Sequence, residues 1–489
     1  MKTLLAVLAL FLSIYSSKAQ SIGIGTATPQ ASAQLDVSST NKGLLAPRMT
    51  TAQRNAIASP AKGLLVYDTD LNGLYHYNGS SWAAVGGGAG SGWSLAGNSG
   101  TNPNNNFIGT SDKQSLAIRV NNMRYGLIDT ARNILLGEAA GASIIPTATE
   151  GYGNIAIGSG ALKLNGAVSG NIAIGDSALH YNGLNVFPGT GANSNTAIGN
   201  KAMLYNTSGF WNTGVGNNAL MSNTSGPGNT AVGNSALLYN TTGEANTSIG
   251  SGSLFSNVSG NYNTALGAST LNYNSVGSRN TAVGYAALAL SIASDNTAVG
   301  YDALFKNATG QNNTVSGQRA MFENTTGHYN TAYGSQSLMN NKSGYSNVAI
   351  GYQALFQNSD RSNIVAIGDS ALYSNGLGAS NNSQSVYNTA VGSKSLWMNT
   401  IGFDNTGLGF ETLAKNVSGC SNTALGSKSL TGNSSGAYNT SVGSDAMFTN
   451  TTGYQNSALG AFSLWFNQTG HSNVGVGYDA LSSNNNGHR

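Results

Sequence analysis

Two stretches of the chain place an aspartate next to a serine, a pairing on which nucleophilic chemistry could be built. Residues 175–179 and 368–372 both read Gly-Asp-Ser-Ala-Leu; His180 follows the first stretch directly, and Tyr373 follows the second. A serine hydroxyl becomes a nucleophile when a histidine held by a third group takes its proton. The residue types for ester hydrolysis therefore occur together at the first stretch, without an Asp-x-x-His block to complete them.

Both stretches resemble the nucleophile block of the GDSL-type esterases, which would imply hydrolysis by Ser177 or Ser370. However, Gly-x-x-Ala/Ser-Leu recurs throughout the chain, so Asp and Ser here fill variable positions of a repeat. The run Gly432-Asn-Ser-Ser-Gly436 matches Gly-x-Ser-x-Gly, but it lies in a linker and not at a strand-to-helix turn. We therefore expect the protein not to be an enzyme.

Metal and cofactor sites are not expected either. The five histidines are scattered and form no ligand pair, and the calcium-binding nonapeptide of other β-rolls is absent. They are His76, His180, His328, His471 and His488.

The element that must position all these residues is a 17-residue unit repeated nineteen times between about Asn154 and Arg489. A fixed period of this length indicates a solenoid or a repeat array. Its fifth position is Gly in every copy. The step between these glycines is 17, with one step of 16 and two of 24; they are residues 158, 175, 199, 216, 233, 250, 267, 284, 300, 317, 334, 351, 368, 392, 409, 426, 443, 460 and 477.

The other positions of the unit are also restricted. Asn leads eighteen of the nineteen copies, Ile364 being the exception, and Asn fills the twelfth position of eighteen copies, Ser291 being the exception. The fourth position is mostly Ile, Val or Leu, and the ninth is Leu or Met in every copy. A Gly near the fifteenth position usually closes the unit.

This pattern predicts an all-β fold, a parallel β-solenoid in which each coil reads turn-strand-turn-strand. The second and fourth positions share one face at strand spacing, and Gly and Asn supply turns. A short helical turn over residues 236–240 is the alternative for the second half of the coil. Asn stacked on Asn would bond along the ladder, and Leu on Leu would form a core stripe. Nineteen coils would make a rod on the order of 90 Å long.

Three runs of the repeat resemble the YadA-like head domains of trimeric autotransporter adhesins. They are Asn154-Ile-Ala-Ile-Gly158, Asn347-Val-Ala-Ile-Gly351 and Asn388-Thr-Ala-Val-Gly392. The resemblance covers about two thirds of the chain. It implies left-handed β-rolls, an intertwined homotrimer, and an adhesin head on the cell surface.

The rest of the chain divides into four segments. Residues 1–19 read as a secretory signal peptide, and no later stretch has transmembrane length, so we expect a secreted or outer-surface protein without membrane insertion. Residues 20–85 form a β-rich module that resembles the N-terminal module of secreted tail-fibre-like proteins of Bacteroidetes. Residues 86–92 are a Gly-rich linker. Residues 93–150 are a second small β-rich module that ends in an atypical first coil, and 151–489 are the array.

The charge of the chain and its cysteine content limit the kinds of partner and of cross-link that can be expected. The chain has a net charge of +3, only 8% of its residues are charged, and the array carries eleven basic and eleven acidic residues. Nucleic-acid binding is therefore not expected, because phosphate contacts need clustered Lys and Arg. The single Cys420 excludes a disulfide framework within one chain.

Two further stripes repeat along the array. Aromatic residues recur at the tenth and eleventh positions, which predicts packing against neighbouring chains or, alternatively, a stacking surface for glycans. Thr recurs at the second position, which predicts a hydroxyl ladder or, alternatively, an ice-binding face. Because Ile or Val replaces this Thr in some coils, as in Ile155 and Val348, we expect the position to face inward.

The two 24-residue steps are seven-residue expansions, and both follow Ala-Ile-Gly-Asp-Ser-Ala-Leu. Insertions in a solenoid emerge as loops that often bind ligands, although a tolerated surface bulge is an equal alternative. The candidate ligand residues are Asn185 and Phe187 in the first loop and Asn381 and Gln384 in the second.

The final repeat stops at Arg489, where an open strand edge is expected. We therefore predict that the natural chain continues, is cut there, or relies on a partner. Taken together, the sequence predicts a homotrimeric adhesin head or shaft without cofactors, acting by multivalent display toward a matrix protein or a glycan. The alternatives are a purely structural fibre shaft and an ice- or glycan-binding solenoid.

Overall fold

A computed structural model describes residues 21–85, 101–102, 104–146, 150–184 and 191–488. The chain forms two compact units, residues 1–109 and 110–489, and each is considered by itself. The predicted signal peptide (1–19) and Gly-rich linker (86–92) lie outside the described residues.

The first unit contains two small sheets and one short helix, α1 (Thr51–Asn55). Thr50 caps α1 by accepting a hydrogen bond from the N–H of Gln53, whose side chain accepts one from the N–H of Thr50. A parallel pair forms one sheet, and four strands in sequence order form the other. The strands are β1 (Ile22–Ile24) and β2 (Leu35–Val37), then β3 (Arg48–Met49), β4 (Leu65–Asp68), β5 (Gly73–Tyr77) and β6 (Trp82–Ala84).

A buried ion pair joins α1 to β4. Nη1 of Arg54 lies 2.9 Å from Oδ2 of Asp68, and both side chains are buried. Burial alone would raise the pKa of Asp68. This effect is outweighed by hydrogen bonds from the N–H groups of Leu71 and Asp70 and from the Thr51 hydroxyl, and by the charge of Arg54. Together they hold the pKa of Asp68 below its usual value.

We expect acid to weaken the first unit because of Asp68. A carboxyl whose pKa is lower in the folded state stabilises the fold above its unfolded pKa, and this stability is lost as the pH falls through the folded pKa. Hydrogen exchange of β4 amides, corrected for intrinsic rates, should show reduced protection below about pH 4. Asp68→Asn should reduce protection at neutral pH and flatten its pH dependence. Equal protection of the wild-type strand under acid and neutral conditions would contradict this prediction.

The second unit begins with an antiparallel hairpin that leads into the solenoid. Strand β7 (Leu116–Val120) pairs with β8 (Met123–Ile128), and β8 pairs with β9 (Ile134–Leu136). From β9 onward each strand pairs in parallel with the next one along the chain. Because β8 lies antiparallel against β9, it covers the backbone edge at this end of the parallel ladder.

The parallel ladder continues in three-residue strands to the end of the described chain. These are β10 (Ile155–Ile157), β11 (Ile172–Ile174), β12 (Thr196–Ile198), β13 (Thr213–Val215), β14 (Thr230–Val232), β15 (Thr247–Ile249), β16 (Thr264–Leu266), β17 (Thr281–Val283), β18 (Thr297–Val299), β19 (Thr314–Ser316), β20 (Thr331–Tyr333), β21 (Val348–Ile350), β22 (Val365–Ile367), β23 (Thr389–Val391), β24 (Thr406–Leu408), β25 (Thr423–Leu425), β26 (Thr440–Val442), β27 (Ser457–Leu459) and β28 (Val474–Val476). The predicted parallel β-solenoid is confirmed.

Each coil has one strand, so the expected second strand was wrong, and so was the alternative helical turn. After the strand, the backbone takes positive φ at the seventh and ninth positions, for example 55° at Ser235 and 52° at Leu237. A β-strand and a right-handed helix both require negative φ. Local turns close here, as when the N–H of Asn240 donates to Leu237 O, while the N–H of Leu237 donates to Ser253 O of the next coil.

The core is a narrow column in which the same positions stack. The third, eighth and ninth positions are buried, as in Ala231, Ala236 and Leu237, each 0% exposed. Stacking of Leu on Leu is thus confirmed. The core is complete within one chain, so the intertwining of three chains that the resemblance implies is not needed to form it.

Two buried asparagine ladders run through the solenoid, as expected. Asn246, at the first position, donates from Nδ2 to Asn229 Oδ1 of the preceding coil (3.1 Å) and to Gly260 O of its own coil (2.9 Å). Asn257, at the twelfth position, likewise donates to Asn240 Oδ1 and to Gly260 O. The two ladders therefore meet at the carbonyl group of the fifteenth position, and these hydrogen bonds satisfy the buried amide groups of Asn246 and Asn257.

The glycines at the fifth and fifteenth positions of the unit are required for different physical reasons. Gly233, at the fifth position, has φ 137°, and a Cβ there would lie 2.7 Å from the backbone of Gly250. Gly243, at the fifteenth position, would place a Cβ 2.5 Å from Gly260 O and 2.7 Å from Asn257 Nδ2. The first glycine is needed for both conformation and space, and the second for space.

The expansions do not disturb the ladder. Ile172 pairs with Thr196 across the first expansion, and Val365 pairs with Thr389 across the second. The strands on either side of each expansion therefore pair in register.

Candidate ligand groove and surface stripes

The second expansion is held together by the two residues that were predicted to bind ligand. Oε1 of Gln384 accepts a hydrogen bond from the N–H of Ser380 (2.7 Å), and Oδ1 of Asn381 accepts from the hydroxyl of Ser383 (2.7 Å). Both side chains thus act within the loop, and their role in ligand binding stays a prediction. Asn185 and Phe187, predicted for the first loop, lie outside the described residues.

An open groove of about 720 Å³ lies beside this loop. Its lining comes from the loop and from the last four positions or fewer of four neighbouring coils. The charged and aromatic residues of the lining are Tyr345, Asp360, Arg361, Tyr387, Phe403 and Asp404. Asn382 and Ser383 contribute the loop side of the groove.

Arg361 is the buried charge of the groove. It occupies the fifteenth position of its coil, where most coils have Gly, and its side chain is only 5% exposed. Its Nη1 and Nη2 lie 3.4 Å from Asn382 Oδ1 and from Ala379 O, which is long for a charged donor. Its Nε is 3.3 Å from Asp360 Oδ1, an ion-pair distance, but makes no hydrogen bond. The guanidinium group is therefore incompletely satisfied within the chain.

The first expansion provides an internal comparison for Arg361. Val168 holds the same place, fifteenth in the coil that precedes the expanded one, and it is buried at 4% exposure. Each side chain packs over a glycine of the expanded coil: a Cβ at Gly183 would approach Val168, and a Cβ at Gly376 would approach Arg361. An aliphatic side chain therefore satisfies the packing at this place in the fold.

Aromatic rings and carboxylates complete the groove. Tyr387 is 59% exposed, and Tyr345 stacks on His328 with ring centroids 5.3 Å apart. Phe403 contributes a third ring, and Asp360 and Asp404 contribute carboxylates. Sequence analysis missed this site, although Arg361 could have been found as a charged residue at a position that is otherwise Gly.

The strand face points outward, which corrects the expectation for the repeated Thr. In each strand the middle residue is buried, whereas the second and fourth positions of the unit are half-buried or exposed, as for Thr230 and Val232 around Ala231. The expectation of an inward-facing second position was wrong because the small third residue fits the narrow core. Neither position is charged in any copy of the unit, so the outward strand face is an uncharged band made mostly of Thr and aliphatic side chains.

The aromatic stripe at the tenth and eleventh positions stacks from coil to coil. Phe305 and Phe322 have ring centroids 5.2 Å apart, and Phe356 and Tyr373 have centroids 5.0 Å apart. Tyr239 nevertheless remains 48% exposed. The stripe therefore packs within one chain and leaves some of its rings, such as Tyr239, partly exposed.

The two Asp-Ser pairs do not form nucleophile–base pairs. The hydroxyl of Ser177 donates to Oδ2 of Asp176 (3.1 Å), and that of Ser370 lies 3.4 Å from Oδ1 of Asp369. His180 is partly buried; burial first, and then the charge of Lys163, lowers its pKa. Each serine hydroxyl thus points to the neighbouring aspartate carboxylate and not to a histidine.

Other features of the described residues can be stated briefly. These residues include no cluster of three or more His, Cys, Asp or Glu side chains suited to a metal ion. No helix among them has the length and apolar character needed to span a membrane. Cys420 is a free, partly exposed thiol.

Residues 23–103 match the family described as the phage tail like trimerisation region. The match covers most of the first unit and supports the tail-fibre-like character of this module. The chain has no significant match among curated proteins or solved structures. A trimerisation region followed by a β-solenoid indicates a structural, fibre-like protein.

Proposed function

We propose that the protein is an exported homotrimeric fibre whose solenoids act as an adhesin shaft or head. The observation that carries this proposal is the trimerisation-region match at residues 23–103, upstream of a solenoid that closes its own core. In a trimer, each solenoid would be continuous with its own trimerisation region, and each surface site would be present three times. Several weak contacts made at once would then give firm attachment. In this proposal the chain binds and does not catalyse.

The first unit supports trimer formation because it leaves apolar residues uncovered. Val66 is its one fully buried apolar side chain among the described residues, whereas Leu44 and Leu45 are 70% and 72% exposed, and Ile22 is 62% exposed. A monomer rarely leaves so much apolar surface open. Further copies of the same chain would cover it.

The strand face of the solenoid would be the second contact between copies. It carries no charge along the array, and interface cores are depleted in charged residues. Export is inferred from residues 1–19, which read as a signal peptide. A matrix protein or a glycan would then be the partner outside the cell.

We expect residues 20–489 to have the mass of three chains in light scattering, and small-angle X-ray scattering to show an elongated particle. Leu44→Glu with Leu45→Glu should abolish the trimer mass, because carboxylates cannot be buried between copies at low cost. The matched control is Ser32→Glu with Thr40→Glu, which adds equal charge at exposed polar positions of the same unit.

A monomeric wild-type chain at micromolar concentration would contradict the trimer. It would also leave the Thr-bearing strand face open, and thermal hysteresis measured on that monomer would then test ice binding. The structure favours this second candidate more than the sequence did, since the Thr column faces outward.

A further inference from the structure

We propose that the groove beside the second expansion, centred on Arg361, binds an uncharged oligosaccharide. This assignment deepens the proposed adhesive function, on which its biological meaning rests. The binding itself requires only the fold of one solenoid, because residues 343–404 supply the whole lining.

Arg361 is buried at a cost in folding free energy. A buried guanidinium group that is incompletely hydrogen-bonded destabilises the fold, and here two contacts are 3.4 Å long and Nε has no hydrogen bond. Val168 shows that an aliphatic residue meets the packing requirement at the equivalent place. Arg361 is therefore not explained by the stability of the coil, and it lines the groove. Ligand oxygens would supplement the two long hydrogen bonds that its Nη groups make within the chain.

The charges of the groove indicate a neutral ligand. Arg361 contributes one positive charge, and Asp360 and Asp404 contribute two negative charges. An anionic sugar would be repelled by the excess of carboxylates, and a small cation would be repelled by the guanidinium group. Sugar hydroxyls suit both signs, because each hydroxyl can donate to a carboxylate and accept from a guanidinium.

The aromatic rings supply the apolar part of the site. A pyranose ring has a face of C–H groups, and Tyr387, which is 59% exposed, offers a ring face of comparable size. Tyr345 and Phe403 extend this lining across neighbouring coils. Aromatic residues with a polar tip are suited to such half-wet contacts. The groove is open and spans several coils, so it fits a chain of sugars better than a single one.

The test is binding of full-length 20–489 to an array of short neutral and acidic oligosaccharides, followed by calorimetry with the best neutral binder. We expect binding to neutral members. Arg361→Val should lower affinity by about tenfold or more, because it removes the central donor. The thermal unfolding midpoint of Arg361→Val should be at or above that of the wild type, because Val168 already packs at the equivalent position.

Tyr387→Ala should lower affinity by a similar factor, and its matched control is Tyr438→Ala. Tyr438 occupies the last position of another coil, is 62% exposed and lies outside the groove. Both tyrosines are exposed, so both variants should fold even if Arg361→Val does not.

Absence of neutral binders, preference for acidic sugars, or binding that is unaffected by Arg361→Val and Tyr387→Ala would each overturn the assignment. Light scattering separates this result from the trimer proposal. A trimer that binds no neutral sugar refutes the groove alone, and a monomer that binds one refutes the trimer alone.

Discussion

Gly243→Ala is expected to unfold several coils around its site, although it adds a single methyl group. The new Cβ would lie 2.5 Å from Gly260 O and 2.7 Å from Asn257 Nδ2, and closer still to Asn240 Oδ1. None of these atoms can move freely, because both asparagines bond within the core ladder. We expect a loss of about 3 kcal/mol or more of local stability, measured as lost hydrogen-exchange protection in neighbouring coils.

Gly228→Ala is the matched control for this change. Gly228 closes the preceding coil, and the nearest atom to an added Cβ is 3.9 Å away. The same position holds Ala245 at φ 52°, so alanine is already tolerated there. The expected cost is about 1 kcal/mol from the left-handed backbone. Equal losses in the two variants would refute the close-approach explanation.

Asn246→Ala should produce the second large effect. Oδ1 of Asn246 accepts from the N–H and Nδ2 of Asn263, and its Nδ2 donates to Asn229 and to Gly260 O. Alanine would remove the only partner of the Asn263 N–H group. It would also remove one of the two partners of Asn263 Nδ2, Asn229 Oδ1 and Gly260 O, and it would open a cavity. Each unsatisfied buried group costs about 1–3 kcal/mol. We therefore expect a loss of about 3–5 kcal/mol of local stability, seen as a drop in protection on both sides of the site.

The comparison for Asn246→Ala is Asn234→Ala in the preceding coil. Asn234 is exposed, and its side chain accepts a hydrogen bond from the neighbouring Ser235 hydroxyl. Its replacement should change stability by less than about 0.5 kcal/mol. If Asn246→Ala were as mild, water or neighbouring side chains would have to replace the ladder, and the role assigned to the buried asparagines would fail.

Sequence periodicity was sufficient for the solenoid, because a residue that recurs at one place in every coil must stack on itself. Asn246, Leu254 and Gly250 were all recognised in this way. Periodicity does not, however, tell which side of a three-residue strand faces the core. The aliphatic residues found at these positions predicted that Thr247 and Ile249 face the core. The narrow core instead accommodates the small Ser248 that lies between them.

The positive φ of Leu254 (48°) could not be predicted from its type, since leucine rarely adopts this conformation. Its conformation is imposed by hydrogen bonds to the next coil, which are tertiary contacts. The groove escaped detection for a related reason. Arg361 and Tyr387 belong to different coils, and their approach depends on how the expansion leaves the stack. The expansion itself was visible as a break in the period.

The direction of the backbone hydrogen bonds has a mechanical consequence. Between coils they run along the solenoid axis, as from the N–H of Thr230 to Asn246 O and from the N–H of Leu237 to Ser253 O. A pull on the two ends of the solenoid would load the bonds of one coil at a time, so the outermost coil would peel away first. Each released coil of 17 residues would lengthen the tether by roughly 50 Å. A solenoid under tension would thus lengthen stepwise, one coil at a time, and shorten again when the force falls.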